Sequence, residues 1–366
     1  MRLLVAGGGT GGHLYPGIAV AEEVVARGGE VLFVGTSRGI ETRAVPAAGY
    51  RLELLEISGL KRVGAAAFVR GLGRVPTAML RSRAILRGFR PDAVLGVGGY
   101  ASGPMVLAAA LSGVPSAIQE QNSVPGFTNR VLGRFVRAAF IAFDAAAAAF
   151  PTGKVIRTGN PVRRGLRALA AEAAPAGGKP AQRPRILVVG GSQGAKAVSD
   201  LVIGAATEWK RAGRALPVID HQTGAKDEAR VRAAYAELGL VEGADVVVRP
   251  FIDDMVTAYR SADVVIARAG ALTLAELALA GRPAILIPLP TAADDHQSKN
   301  AEAFASRGAA LVLGQTSTSR EELARALGGL LDDDGRRQQM AVAMRDLARP
   351  DAAVAVVEHL ERLVGA

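Results

Sequence analysis

The chain has 366 residues, 49% of them hydrophobic and 21% charged, with a net charge of +10. That is length enough for two domains with substantial cores, and a composition too apolar for a disordered chain. With no cysteine, disulfides and thiolate chemistry are excluded, which fits a reducing compartment. No uninterrupted apolar run reaches the ~18–20 residues that a membrane span needs, so the chain reads as cytosolic, with an anionic partner for its positive charge.

Residues 3–6 form an apolar run that reads as a buried parallel strand, not as a charged leader with a cleavage site. It enters Gly7-Gly8-Gly9-Thr10-Gly11-Gly12-His13-Leu14-Tyr15-Pro16-Gly17, and 18–27 follow with apolar residues at helical spacing. A strand, a glycine turn and a helix start present backbone N–H groups to an anion. Glycine also lets backbone approach a ligand where a Cβ would collide. His13 adds to this loop an imidazole, a group that exchanges protons near neutral pH. The loop is therefore a candidate active site.

Further strands are expected at 30–35 and 92–100, the latter running into a second glycine turn. A helix over 104–111, a Gly-Val-Pro stop and a strand at 116–120 follow. Such alternation predicts a parallel sheet covered on both faces. The second half repeats the plan, with a strand from 185, a glycine turn at 190–195 and a helix over 197–211. A strand at 263–267, a helix over 272–280, a Gly-Arg-Pro stop and a strand at 284–288 then match 92–119 element for element. The expectation is an α/β protein of two Rossmann-like domains, 1–163 and 164–349, facing across a cleft. Residues 168–184, rich in Ala, Pro and Gly, read as a linker, and a last helix within 350–366 can pack on either domain, back on the first included. Ligands of open α/β sheets bind beyond the carboxyl ends of the strands, so the glycine turns should line the site.

Gly7, Gly9 and Gly12 satisfy G-x-G-x-x-G, but the second strand ends Gly35-Thr36-Ser37-Arg38 without the acidic residue that holds a nicotinamide ribose. Arg38 leaves an NADP enzyme open. No glycine turn continues as a Walker P-loop. His13, His221, His296 and His359 are scattered without ligand spacing, and Asp294-Asp295 reads as a solvated acidic pair, so no metal is expected.

Seven motifs in register resemble one family. They are Gly-Gly-Gly-Thr-Gly-Gly-His at 7–13, Gly-Gly-Tyr-Ala-Ser-Gly-Pro at 98–104, Glu-Gln-Asn at 120–122 and Gly-Asn-Pro-Val-Arg at 159–163. The second half adds Gly-Gly-Ser-Gln-Gly-Ala at 190–195, Arg-Ala-Gly-Ala-Leu-Thr-Leu-Ala-Glu at 268–276 and Asp-His-Gln-Ser-Lys-Asn-Ala at 295–301. The chain is similar over nearly its whole length to the bacterial glycosyltransferases that convert lipid I to lipid II in peptidoglycan synthesis. Two departures are Ala267, where the family usually has Ser, and Gln119, where a His is common.

The resemblance implies the two-domain GT-B architecture, a UDP-N-acetylglucosamine donor held by the C-terminal half, a lipid I acceptor held by the N-terminal half, and no cofactor. It implies donor contacts from Ser192 to the pyrophosphate, from the backbone of Ile252 to the uracil, and from Ala271, Leu272, Thr273, Leu274 and Ala275 at a helix start that favours phosphate. Glu276 is expected on the ribose hydroxyls, and His296 and Gln297 on the sugar. Thr10, Gly11, Gly12, Tyr100, Asn122 and Arg163 are expected to complete the site. Plainer roles stand beside these: Glu276 as a surface carboxylate, Gln297 as a helix cap, Arg163 as a stem covering the domain junction.

An α-linked donor and a β-linked product imply inversion by direct displacement, with His13 as the base and helix N-termini and loop amides stabilising the leaving pyrophosphate. A nucleotide-sugar epimerase of the same fold is the alternative reading, and a basic binding module without chemistry a third. Residues 57–91 hold eight basic residues and no acidic one, interleaved with Leu60, Val63, Phe68, Val69, Leu72, Val75, Met79 and Leu80. This predicts a peripheral contact with the anionic cytoplasmic face of the membrane. Nucleic acid fits less well, because Phe68 and Phe89 are the only aromatics there for base stacking.

Overall fold

The computed structural model describes residues 1–37, 39–56, 75–172, 183–191 and 194–365. The chain forms two compact units, one of residues 1–164 with 349–366 and the other of 165–348.

In the first unit the elements run β1 (Arg2–Gly7), α1 (Gly11–Ala26), β2 (Glu30–Gly35), α2 (Glu41–Ala47), β3 (Arg51–Leu54) and α3 (Val75–Phe89). They continue with β4 (Ala93–Gly98), α4 (Ser102–Leu111), β5 (Ser116–Glu120), α5 (Phe127–Leu132), β6 (Ala138–Ile141) and β7 (Val155–Arg157). The sheet order is β3-β2-β1-β4-β5-β6-β7, with every pairing parallel. On β1, Leu4 and Ala6 join one apolar cluster and Leu3 and Val5 the other, so the strand is buried on both faces. That is why its sequence is continuously apolar and does not alternate. The last helix of the chain (Ala352–Gly365) belongs to this unit. Its Val356, Val357 and Leu360 are buried in the cluster of Leu3 and Val5, and Arg27, just past the end of α1, pairs with Glu361 at 2.9 Å.

The second unit holds β8 (Arg185–Val189), α6 (Lys196–Arg211), β9 (Val218–Gln222), α7 (Glu228–Glu237), β10 (Val246–Arg249) and α8 (Met255–Ser261). After these come β11 (Val264–Ala267), α9 (Ala271–Ala280), β12 (Ala284–Leu286), α10 (His296–Ala305), β13 (Ala310–Val312), α11 (Arg320–Leu331) and α12 (Asp334–Asp346). Its sheet is also wholly parallel, in the order β10-β9-β8-β11-β12-β13.

Two expectations change. Helix α1 begins at Gly11 and not at 18, so His13 lies in its first turn. Glycines are poor helix formers, and Pro16 gives up the hydrogen bond its N–H would make to Gly12. The turn is held instead by burial of Leu14 and Ile18. The stretch read as a linker also starts as packed structure: Ala168–Ala171 is a 3₁₀ turn with Leu169 buried, while 173–182 lie outside the described residues.

Candidate active site

In both sheets the chain reverses its winding direction beside the first strand, between β1 and β4 and between β8 and β11. Loops leaving the carboxyl ends of such neighbouring strands diverge and leave a crevice. The loops in question are the glycine turns at 7–10 and 98–101 in the first unit, and 190–195 and 268–270 in the second.

In the first unit the two turns interlock. Gly8 N–H donates to the Gly98 carbonyl at 3.2 Å, and a Cβ on Gly99 would come within 2.4 Å of Gly8 O. Gly98 has φ +97°, and a Cβ there would lie 2.7 Å from His13 Nδ1. Beneath the loop is a residue the sequence reading missed, the fully buried Glu41. Its carboxylate accepts Gly9 N–H at 2.8 Å, Thr36 N–H at 2.9 Å and the Thr36 hydroxyl at 2.8 Å. Burial pushes this carboxyl up, but the hydrogen bonds from the Gly9, Thr36 and Glu41 amides and the Thr36 hydroxyl outweigh it and hold it below the usual range. The amides of Gly8 and Gly9, expected to face an anion, are thus committed inside the protein. The amides at the start of α1, those of Thr10, Gly11 and Gly12, are the ones that point out of the helix end.

His13 is half-buried, and its Nδ1 lies 3.2 Å from Gln121 Oε1. Asn122 donates from its backbone N–H to Glu120 Oε1 at 3.0 Å, and the buried Glu120 also takes Gly126 N–H and Asn129 Nδ2. Arg163 stacks its guanidinium over the Tyr15 ring at 5.0 Å, within the same unit. Tyr100 is 51% exposed. Phe89, weighed for base stacking, is buried, with the Arg2 guanidinium 4.7 Å from its ring centroid.

In the second unit, Gly194 has φ +75° and a Cβ there would meet Thr223 O at 2.2 Å, so the turn before α6 requires glycine. Ser192 lies outside the described residues. Helix α9 starts at Ala271, with Leu272 and Thr273 half-buried in its first turn. Leu274 is wholly buried and its N–H donates to Gly270, so it supports the helix and offers no group to a ligand, whereas Ala275 is half-buried. Glu276 is only 8% exposed, which removes the surface-carboxylate reading, and its Oε2 accepts the hydroxyl of the buried Tyr259 at 3.0 Å. Ile252 N–H is already taken by Gln222 Oε1 at 3.2 Å, so its carbonyl is the backbone group left for a base. Gln222 also accepts Gly190 N–H on its own carbonyl. His296 opens α10 behind Asp294 and Asp295, both with positive φ. Gln297 does not cap that helix: its Oε1 accepts Leu289 N–H at 3.0 Å. Arg268, whose guanidinium burial pushes below the ordinary value, donates to the carbonyls of Ile287 and Pro288 and to Gln315 Oε1. Among the described residues, no cluster of three or more His, Asp or Glu could hold a metal ion.

The two parallel α/β units, each with a glycine turn at its switch point, define a GT-B glycosyltransferase architecture. The glycosyltransferase family 28 N-terminal domain matches residues 3–141 and the family 28 C-terminal domain matches 185–356; the chain belongs to this family. It is 49% identical, over all of this chain and 94% of the relative, to the UDP-N-acetylglucosamine--N-acetylmuramyl-(pentapeptide) pyrophosphoryl-undecaprenol N-acetylglucosamine transferase of Anaeromyxobacter sp. (strain Fw109-5). The enzyme of that name from Geobacter sulfurreducens is 46% identical over 98% of both chains. The crystal structure of Acinetobacter baumannii MurG covers 99% of both chains at 32% identity with a TM-score of 0.77. The UDP-GlcNAc 2-epimerase of Neisseria meningitidis, at 14% identity and a TM-score of 0.67, shares the fold alone.

Proposed function

We propose that this chain transfers N-acetylglucosamine from UDP-N-acetylglucosamine to undecaprenyl-pyrophosphoryl-N-acetylmuramyl pentapeptide, lipid I, giving lipid II. The observation that carries this is full-length identity of 46–49% to enzymes named for that reaction. The epimerase alternative has only the shared fold in its favour.

In this reading His13 takes the proton of the acceptor hydroxyl, whose oxygen attacks the anomeric carbon as the bond to UDP breaks. Attack from the far side inverts an α-linked donor to a β-linked product. The leaving diphosphate is stabilised by the start of α9 and by the turn before α6, and Glu276 takes the ribose hydroxyls. Thr10, Gly11 and Gly12 offer their amides to the acceptor's own charged or polar groups. The test is UDP release from UDP-N-acetylglucosamine with and without a lipid I analogue. Release that depends on the acceptor supports the proposal, and acceptor-independent UDP release or epimerised sugar overturns it.

The acceptor is membrane-borne, and the basic segment 57–91 supplies a reason for the enzyme to gather at an anionic cytoplasmic surface. Residues 57–74, with Phe68 and Leu72, lie outside the described residues. In α3, Arg81, Arg83 and Arg87 are exposed and Leu80 is 65% exposed, a basic face with an apolar side chain among the charges. Among the described residues no helix is long and apolar enough to cross a membrane. Vesicle binding should require anionic lipid and weaken with salt, and Phe68→Ser with Leu72→Ser should reduce it while sparing activity on a short-chain soluble acceptor. Equal, salt-insensitive binding to neutral vesicles would contradict the membrane contact.

A further inference from the structure

We infer that Gln121 is a positioning residue that holds His13 in the tautomer protonated on Nδ1, leaving the Nε2 lone pair for the acceptor proton. The inference deepens the function proposed above and rests on it for its catalytic consequence, though not for the tautomer itself.

Val97 is the penultimate residue of β4. Its carbonyl accepts Gln121 Nε2 at 2.9 Å. A carbonyl can only accept, so the nitrogen end of the Gln121 amide must face it; the flipped amide would set two oxygens against each other. Gln121 is buried, and the oxygen end of the same amide is thereby aimed at His13 Nδ1, 3.2 Å away. An amide oxygen also only accepts, so Nδ1 carries the proton. In a neutral imidazole the second nitrogen, Nε2, is then the acceptor. The polarity runs one way from a backbone carbonyl, through a side-chain amide, to the ring.

Two further features hold the ring in place. Nδ1 lies 2.7 Å from the position of a Cβ on Gly98, so the absence of a side chain there makes room for it. The ring is carried on the first turn of α1, which the burial of Leu14 fixes. β4 and β5 are parallel neighbours, so Val97 near the end of one and Gln121 just past the end of the other lie at the same carboxyl edge of the sheet. A base whose proton must come off a hydroxyl needs its lone pair on the nitrogen facing that hydroxyl, and a misplaced tautomer is severely costly in other imidazole-dependent enzymes.

The test is ¹⁵N NMR of His13 in the full chain at about pH 8.5, where free imidazole is neutral, with the signal assigned by its loss in His13→Asn. The wild type should show the Nδ1–H form. In Gln121→Leu the Nε2–H form, which predominates in free histidine, should take over. Turnover should then fall about ten- to a hundredfold, with the donor KM within about twofold. Gln121→Glu keeps an acceptor for Nδ1–H while giving up the bond to Val97, and should retain the Nδ1–H form. An Nε2–H signal in the wild type overturns the inference. So does a Gln121→Leu enzyme with unchanged tautomer and turnover, and if that variant does not fold, the wild-type spectrum and Gln121→Glu decide. His13→Asn separates the two levels: full turnover there defeats the base reading, whatever the tautomer. Lost turnover with an unmoved tautomer in Gln121→Leu defeats the inference alone.

Discussion

Glu41 and Gly9 are 32 residues apart in sequence, and the carboxylate of one accepts the backbone N–H of the other at 2.8 Å beneath the glycine loop. The loop that reads as an anion cradle is in part already occupied by an anion of the protein's own. Glu41→Gln should therefore do more than remove a charge, because its amide cannot accept from both Gly9 and Thr36. Losing one buried partner costs about 1–3 kcal/mol, measurable by urea denaturation at pH 7. The wild-type carboxylate is held below its ordinary range, so its contribution is present above the unfolded carboxyl's pKa. It is lost as the pH falls through the folded one. A Glu41→Gln chain as stable as the wild type would show that the loop does not depend on this bond.

Gly98 gives a second prediction. A methyl group at φ +97° strains the backbone by roughly 1–2 kcal/mol and meets the His13 ring. Displacing a reacting group by an ångström costs on the order of 10²-fold in rate. Gly98→Ala should lose turnover to about that extent while donor affinity, which the proposed function assigns to the other unit, stays near normal. Full turnover would remove His13 from the reaction.

Glu276 and Tyr259 form a buried pair on α9 and α8. Glu276→Ala should weaken UDP-N-acetylglucosamine binding by about 1.5–3 kcal/mol through lost ribose contacts, and lower stability by about 1–3 kcal/mol through the lost Tyr259 bond. Tyr259→Phe should show a stability loss of about 1 kcal/mol with a smaller effect on the donor. Calorimetric titration of both folded variants checks this; unchanged donor affinity in Glu276→Ala would reject the ribose role.

His221 offers a pH signature. It is buried on β9, with Nδ1 2.9 Å from the Tyr235 hydroxyl and Nε2 3.3 Å from Ser199 Oγ. Burial pushes its pKa down to about 3. Between about pH 6.5 and about pH 3 the unfolded chain binds a proton here that the folded one does not, so stability rises with pH across that window. The slope from this group approaches 1.4 kcal/mol per pH unit, about one proton's worth. Denaturation of wild type and His221→Gln at several pH values should show a flatter dependence in the variant; parallel curves would contradict it.

Strands β1, β2, β4, β5, β8, β11 and β12, the glycine turns and the duplicated layout were legible because central parallel strands are apolar on both faces and their turns need glycine. Strand β9 was not legible: Asp220, His221 and Gln222 break its apolar run, yet all three are buried, the histidine against Tyr235 and Ser199. The start of α1 was hidden by glycines whose helical state is imposed by packing. Glu41 and Gln121 left no periodic signal, because their roles arise from strand adjacency. The one local hint was a carboxylate, Glu41, soon after a glycine-ended strand. Glu276 was found through its motif, but its burial and its bond to Tyr259 depend on how α8 and α9 meet.

The central claim is acceptor-specific, inverting transfer, and the most direct test follows the sugar itself. Labelled UDP-N-acetylglucosamine and a soluble lipid I analogue should yield UDP and a disaccharide-bearing product in equal amounts, with the new glycosidic linkage β by NMR. An α-linked product, or conversion of the donor to an epimer without transfer to the acceptor, would contradict the account.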